Sequence, residues 1–460
     1  MYIKFKWTYI FLIVLMLSLT ACGNDNAPQN TKIEENTVVK IGVPSLDNEI
    51  YAYDMLETEL EKHLNLDIKL VDISPYSENV RTNDDYMEHL EKLLAENVVD
   101  MCIGIPSYQL SKAIDKNLLL DITDSILEIE NIHKGAVDIS KKMGNGNLYF
   151  IPAAIYNIYM VFQNQLILNE LNSSLPAYIS WDEFKGYLDT NLQLIQDNDL
   201  TYDPLALAVK DMGSEELFIG YEFFMQALGL GTRIIEDNKL TPAARDYYTT
   251  FGKIISDYGK GYEAFDNAKY PKDYIFTTGN YMCMLGQSYD LEIFLNTDLN
   301  DNFNRTSPFT LNVDFPLKIS FINFDGSKTQ NLRDTSICIN KQTKYKDQCI
   351  SILNTLLSKD YALKMIESRD IYSHFASSVY SYPTYYDSDT VAALNKSYDG
   401  KFDISLLYDV DYGNPTYHND VEMGTIIESF NEGFTEIYNN NGDASVINNT
   451  IISMEKNFDS

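Results

Sequence analysis

Asp100-Met101-Cys102-Ile103-Gly104-Ile105, stopped by Pro106, is apolar at almost every position. It reads as a β-strand, and its near-continuous hydrophobicity, in place of alternation, says that both of its faces are covered. Val38-Val39-Lys40-Ile41-Gly42-Val43, a β-branched run ended by Pro44, reads the same way. Between the two lie apolar residues at helical spacing over 51–63, a further strand at Asp67-Ile68-Lys69-Leu70-Val71, and an amphipathic helix over 86–94. Strands alternating with helices predict an α/β domain with a parallel sheet. Ligands of open α/β sheets sit beyond the carboxyl ends of the strands. That rule nominates two segments, 44–49 after the first strand and Pro106-Ser107-Tyr108 after the third.

The chain has 460 residues, 45% of them hydrophobic, enough for a sizeable core in two or three domains. Asp and Glu number 67 against 35 Lys and Arg, a formal charge of −32, and no segment gathers the basic residues into a patch. A nucleic-acid binder needs the opposite field, so that class is excluded. Tyr (34) and Phe (22) far outnumber Trp (2), a large supply of flat faces with hydroxyl handles. No repeat of 20–50 residues is visible.

The first 22 residues, MYIKFKWTYIFLIVLMLSLTAC, carry two lysines, a short apolar run and small residues before a cysteine. This is the pattern of an export signal, too short to span a bilayer comfortably. Leu19-Thr20-Ala21-Cys22 resembles the bacterial lipobox, in which the cysteine sulfur is lipidated and becomes the first mature residue. Residues 1–21 are then a lipoprotein signal peptide whose loss removes two lysines and no acid, taking the net charge from −32 to −34. Residues 22–36 are polar and read as a flexible tether, and two acyl chains on Cys22 make a durable membrane anchor. The expected location is the extracytoplasmic face of a cell membrane.

Further along, Ser180-Trp181-Asp182-Glu183 is a capping box that opens a helix, with Trp181 packing at the helix start in preference to stacking on a ligand. Residues 346–357 form an amphipathic helix, and Asp443 caps a final helix over 444–457. The four remaining cysteines are Cys102, Cys283, Cys338 and Cys349, three of them inside apolar strand-like runs. Buried strand cysteines serve as small apolar fillers, while export permits disulfides; Cys338 and Cys349, near in sequence, are the pair expected if one forms. There is no CxxC, HExxH, Gly-x-Ser-x-Gly or Walker loop, so no metal, cofactor or catalytic centre is expected. Asp409-Val410-Asp411-Tyr412-Gly413 departs from a calcium loop in the position of its glycine.

The lipobox, Val98-Val99-Asp100-Met101-Cys102-Ile103 followed by Lys116-Asn117-Leu118-Leu119-Leu120-Asp121-Ile122, then Gly146-Asn147-Leu148-Tyr149-Phe150-Ile151-Pro152 and Ile179-Ser180-Trp181-Asp182-Glu183-Phe184, resemble the extracellular solute-binding proteins of family 1, receptors of ABC importers. Residues 276–288 are similar to that family's Gly-bounded strand and turn, with Met282-Cys283 where Ala-Met is usual. Gln163-Asn164-Gln165 stands where Tyr-Asn-Lys is common, and 335–340 with the helix ending at Asp360 match the last crossover. The resemblance covers nearly the whole mature chain. It implies a periplasmic-binding-protein-like fold of two interleaved α/β lobes with a hinge and an interlobe ligand cleft. Lobe one is expected from 37–157 plus 277–335, and lobe two from 158–276 plus 336–460.

Such a receptor is not an enzyme. Its expected partners are a small solute, most simply a carbohydrate, and ABC permease subunits; it is expected to be a monomer. A sugar offers C–H faces to aromatic rings and hydroxyls to carboxylates and amides. By position, Tyr156 at the first crossover and Tyr289 after the Gly286 turn lead the ligand-binding candidates. Tyr108, Ser107, Gln287 and Ser288 flank them, and Asp47, Asn48 and Glu49 supply acceptors. Tyr372, His374 and Tyr417 bracket a further aromatic stretch containing Tyr380, Tyr382, Tyr385 and Tyr386. The competing readings are a ligand-presenting receptor for a membrane sensor, a binder of a peptide or polyamine, and a glycosidase, which would need two carboxylates facing a cleft.

Overall fold

A computed structural model of the chain describes residues 38–44, 53–73, 83–156, 158–206, 234–258, 276–288, 294, 313–323, 326–330, 333–367, 382–397, 403–412, 423–440 and 443–458. The first three strands are β1 (Val38–Val43), β2 (Asp67–Asp72) and β3 (Met101–Ile105), with helices Tyr53–Leu64 and Asn83–Ala95 between them. β4 (Phe150–Tyr156), β13 (Arg333–Ile339) and β14 (Tyr382–Pro383) complete a six-stranded sheet in the order β14-β4-β13-β3-β1-β2. β1 and β3 are parallel, as the βαβ pattern predicts, with Ile41 opposite Met101 and Gly42 opposite Cys102. β13 is antiparallel to both β3 and β4, so the sheet is mixed where a parallel one was expected.

A second sheet is built from β5 (Tyr159–Asn164), β6 (Tyr178–Ser180), β7 (Asp203–Ala206), β10 (Tyr281–Gln287) and β11 (Leu317–Asn323), in the order β6-β11-β5-β10-β7. Two two-stranded ribbons stand apart from it: β8 (Ile235–Glu236) with β9 (Lys239–Leu240), and β12 (Thr329–Gln330) with β15 (Asp411–Tyr412). The chain thus passes from the first sheet to the second between the end of β4 and the start of β5, and returns between β11 and β13.

These memberships correct the expected division. β10 and β11, both inside 277–335, pair with β5 and belong to the second sheet. The segment 336–356 continues β13 into the helix Lys346–Leu356, whose Cys349, Ile352 and Leu353 pack in the core of the first sheet. Backbone pairing decides the assignment: a strand belongs to the ladder that satisfies its N–H and C=O groups. Of the final 336–460 segment, helices Met423–Asn439 and Ala444–Phe458 do pack on the second sheet.

Side-chain alternation sorts the cores. On the first sheet Met101 and Ile103 face one core with Val39, Ile41, Ile337 and Leu353, while Cys102 faces the other with Tyr86, Leu90, Phe150 and Cys338. Both faces of β3 are buried, as its composition requires. On the second sheet Val161 joins a core rich in rings, where Trp181 lies between Phe184, Tyr247 and Phe251, and Tyr248 stacks on Phe434 at 4.6 Å between centroids. Met160 and Phe162 face the opposite core, with Phe294, Phe321, Tyr382 and Leu407. Trp181 is therefore a packing residue at the start of the helix Trp181–Asp197, whose capping box closes as read from the sequence. Asp443 likewise accepts hydrogen bonds from Ser445 N and Val446 N at the last helix.

Among the described residues the four cysteines, Cys102, Cys283, Cys338 and Cys349, are free and buried. Cys338 and Cys349, the pair named for the case that a disulfide formed, are not bridged: Cys338 lies in the core on one face of the sheet and Cys349 in the core on the other. The residue opposite Cys338 on the neighbouring strand is Cys102.

Candidate functional site: the carboxyl end of β3

β3 and β4 run in the same direction and their carboxyl ends meet the beginning of β13. Here the ladder is irregular on both sides of β13. Against β3 the register shifts between Ser336, opposite Ile105, and Ile337, opposite Ile103. The extra residue is Gly104, at φ 83°, a left-handed conformation that a side chain would strain. Against β4 the register shifts between Thr335 and Ser336. Bulges of this kind bend a strand and re-aim the chain leaving it. β3 leads directly into Pro106 and the 3-10 turn Ser107–Leu110, which runs on into the short helix Ser111–Asp115.

The turn is held from beneath by buried polar groups. Ser107 N donates to Asp334 Oδ1 at 2.8 Å, and Ser336 Oγ donates to the same oxygen at 3.1 Å. Asp334 is only 3% exposed. Burial, which penalises the charged form, pushes its carboxyl up to about 6, although the hydrogen bonds from Ser107 and Ser336 pull the other way. Next in the turn, Tyr108 is half-buried; its hydroxyl accepts from Gln109 Nε2 at 3.3 Å and its carbonyl from Ser111 Oγ at 3.3 Å. Ser107, Gln109 and Leu110 are buried, and Tyr108 is the least buried residue of this turn. An aromatic face held by polar neighbours suits the C–H face of a sugar ring or another flat apolar group.

A second cluster joins the sheets. Ser288 N donates to Ile158 O at 2.8 Å and Ile158 N to Ser288 Oγ at 3.2 Å, while Tyr382 OH donates to Ser288 O at 3.4 Å. Ser288 is thus buried and spends its hydroxyl on the backbone of the crossover. Tyr156 and Gln287 end β4 and β10, with Tyr156 paired in register with Arg333; their side chains lie outside the described residues. So do Asp47, Asn48, Glu49, Tyr289, Tyr372, His374, Tyr417, Tyr380 and the lipidation candidate Cys22. Among the remaining tyrosines of the aromatic stretch, Tyr382 and Tyr385 are buried, and Tyr386 stacks on Tyr408 at 4.9 Å. Asp409 serves a contact between elements: it accepts from Tyr178 OH at 2.8 Å and pairs with Lys328.

The structure therefore brings Ser107 and Tyr108 together with Asp334 and Ser336, which sequence reasoning did not nominate. The one sequence cue was an acid at the head of a β-branched strand, Arg333-Asp334-Thr335-Ser336-Ile337, where an apolar residue is the ordinary choice. Among the described residues, no three of His, Cys, Asp and Glu converge as metal ligands do, and no helix is long and apolar enough to cross a membrane.

No family model matches the chain, and no curated protein is similar to it in sequence. Solved structures are similar in fold. An extracellular solute-binding protein of family 1 from Alicyclobacillus acidocaldarius superposes with a TM-score of 0.62 at 14% identity, over 92% of this chain and 99% of the other. A sugar transporter of Rhizobium etli in an open conformation gives 0.60 at 13% identity, over 92% and 100%. An ABC substrate-binding protein of Listeria monocytogenes, in complex with cycloalternan, gives 0.54 at 13% identity, over 92% and 99%. The fold of this chain is that of the two-lobed solute-binding proteins.

Proposed function

We propose that this protein is the membrane-anchored receptor of an ABC importer that binds a carbohydrate and delivers it to a permease. One observation carries the reading: in a solute-binding fold, the turn after β3 offers a half-buried ring, Tyr108, on a buried frame of Ser107, Asp334 and Ser336, where open α/β sheets take their ligands. A fold neighbour described as a sugar transporter and another solved in complex with cycloalternan support the choice of ligand. The lobes meet at 157–158 and at the return before β13, and closure about these crossovers would trap the solute. Lobe one is then 37–157 with 333–367, and lobe two 158–323 with 423–460. The receptor acts as a monomer and without chemistry on its ligand; Cys22 carries the acyl anchor on the outer face of the membrane.

The test is a thermal-shift panel of cycloalternan, malto-oligosaccharides, simple hexoses, polyamines and short peptides. A ligand at 100 times its Kd stabilises the native state by about 2.7 kcal/mol, easily read as a rise in melting midpoint. The proposal expects such a rise from at least one saccharide, with the sugar recovered intact. A rise from a peptide or polyamine alone refutes the carbohydrate assignment, and a hydrolysed sugar refutes a pure receptor.

A further inference from the structure

The 3-10 turn Ser107–Leu110 begins without the usual provision for its first amides. Its preceding residue is Pro106, and no side chain from the chain just before the turn caps it. The first N–H groups of a helical turn have no partner within the turn and need an acceptor from elsewhere. That acceptor is Asp334, 227 positions away in sequence. Its Oδ1 receives Ser107 N at 2.8 Å and Ser336 Oγ at 3.1 Å, so the carboxyl is itself oriented from its own strand. The glycine bulge at 104 and the register shift on the β4 side fall beside this contact.

A buried carboxylate is an expensive way to satisfy one amide. Its use at this point, with a short charge-assisted bond, exchanges stability for a fixed direction of the turn. Resting on the reading of Ser107–Leu110 as a ligand turn, we propose that Asp334 is a positioning residue of the binding site: it acts as a remote cap that fixes Ser107, and through it the Tyr108 ring, relative to β13. Asp334 need not touch the ligand. Its effect on affinity passes through the direction of Tyr108, whose carbonyl and hydroxyl are in turn held by Ser111 and Gln109.

Two variants separate acceptor from charge. Asp334→Asn keeps a carbonyl oxygen for Ser107 N, and Asp334→Ala removes it; should the alanine variant not fold, Asp334→Leu removes the acceptor without leaving a void. Hydrogen exchange of the peptide covering 106–111 is expected to quicken about tenfold or more in Asp334→Ala, and to stay within roughly threefold of wild type in Asp334→Asn, with the helix Pro242–Tyr258 unchanged in both. Affinity for the panel saccharide that most raises the melting midpoint is expected to fall about tenfold in Asp334→Ala and to be restored in Asp334→Asn. Unchanged exchange at 106–111 in the variant lacking the acceptor overturns the proposal, as does quickened exchange with full saccharide affinity. If exchange responds as expected while no saccharide binds even the wild type, the cap stands and the carbohydrate reading falls.

Discussion

The two ends of β3 each hold a buried aspartate, and the two are used differently. At the amino end Asp100 accepts from Lys40 N at 2.9 Å and from Thr343 Oγ1 at 2.6 Å, tying β1 and the loop after β13 to β3. Beside it Asn340 Nδ2 donates to Leu94 O and Val99 O, both at 2.9 Å, so the backbone of this end is closed off by side chains. At the carboxyl end Asp334 accepts from Ser107 N of the turn and from Ser336 Oγ of its own strand. Regular ladder surrounds the first carboxylate and two register shifts surround the second. One end of the sheet is regular and closed by side chains; the other combines irregular backbone with a buried acid beside the turn that carries Tyr108.

That contrast breaks most easily at the amino end. Asp100→Ala leaves a backbone amide and a threonine hydroxyl without their acceptor, and chemical denaturation should show a loss of roughly 2–5 kcal/mol, with the ligand affinity of the folded fraction unchanged. An equal loss of affinity would mean that the two ends are not separable.

The next effect is the pH dependence of Asp334. Its carboxyl is pushed from the ordinary 3.8 up to about 6, so between these values the folded state binds the proton more tightly than the unfolded chain. Its contribution is therefore most favourable below about pH 4, is lost as pH rises to about 6, and is constant above, a span on the order of 2–3 kcal/mol. Asp334→Asn should remove that component from a plot of unfolding free energy against pH. An identical profile in the variant would place the buried charge elsewhere.

Tyr108→Ala should weaken saccharide binding by about 1–2 kcal/mol, roughly tenfold in Kd by titration calorimetry, with a change in stability of less than about 1 kcal/mol. Smallest of all, Lys116→Ala removes the exposed pair with Glu91 at 2.7 Å, and should change stability by less than about 1 kcal/mol and affinity not at all.

Much of this architecture is legible in the sequence. The β-branched runs at 38–43 and 100–105, the capping box at Ser180 and the amphipathic spacing after Lys346 each depend on neighbours along the chain, and each element forms where its pattern lies. Pairing is less legible, because an apolar strand such as Tyr281–Gln287 says that it is buried but not beside which partner. Cys338 and Cys349 are eleven positions apart, yet strand alternation and the following turn send them to opposite faces of the sheet. The candidate site divides in the same way. Ser107 and Tyr108 follow from the rule that ligands sit at strand ends, while Asp334 becomes visible only when the chain returns 227 residues later to bring it beneath Ser107. Tyrosine abundance itself was no guide: Tyr247, Tyr248 and Tyr258 are core residues of the helix Pro242–Tyr258, and Tyr382 and Tyr385 are buried as well.

The central claim is that a carbohydrate binds at the carboxyl end of β3. Hydrogen exchange with and without the panel saccharide that most raises the melting midpoint tests it directly. Protection concentrated in 106–111 and at the crossover peptides containing 155–158 and 286–288 is the predicted result. Protection confined to other segments, with 106–111 exchanging as in the free protein, would contradict it.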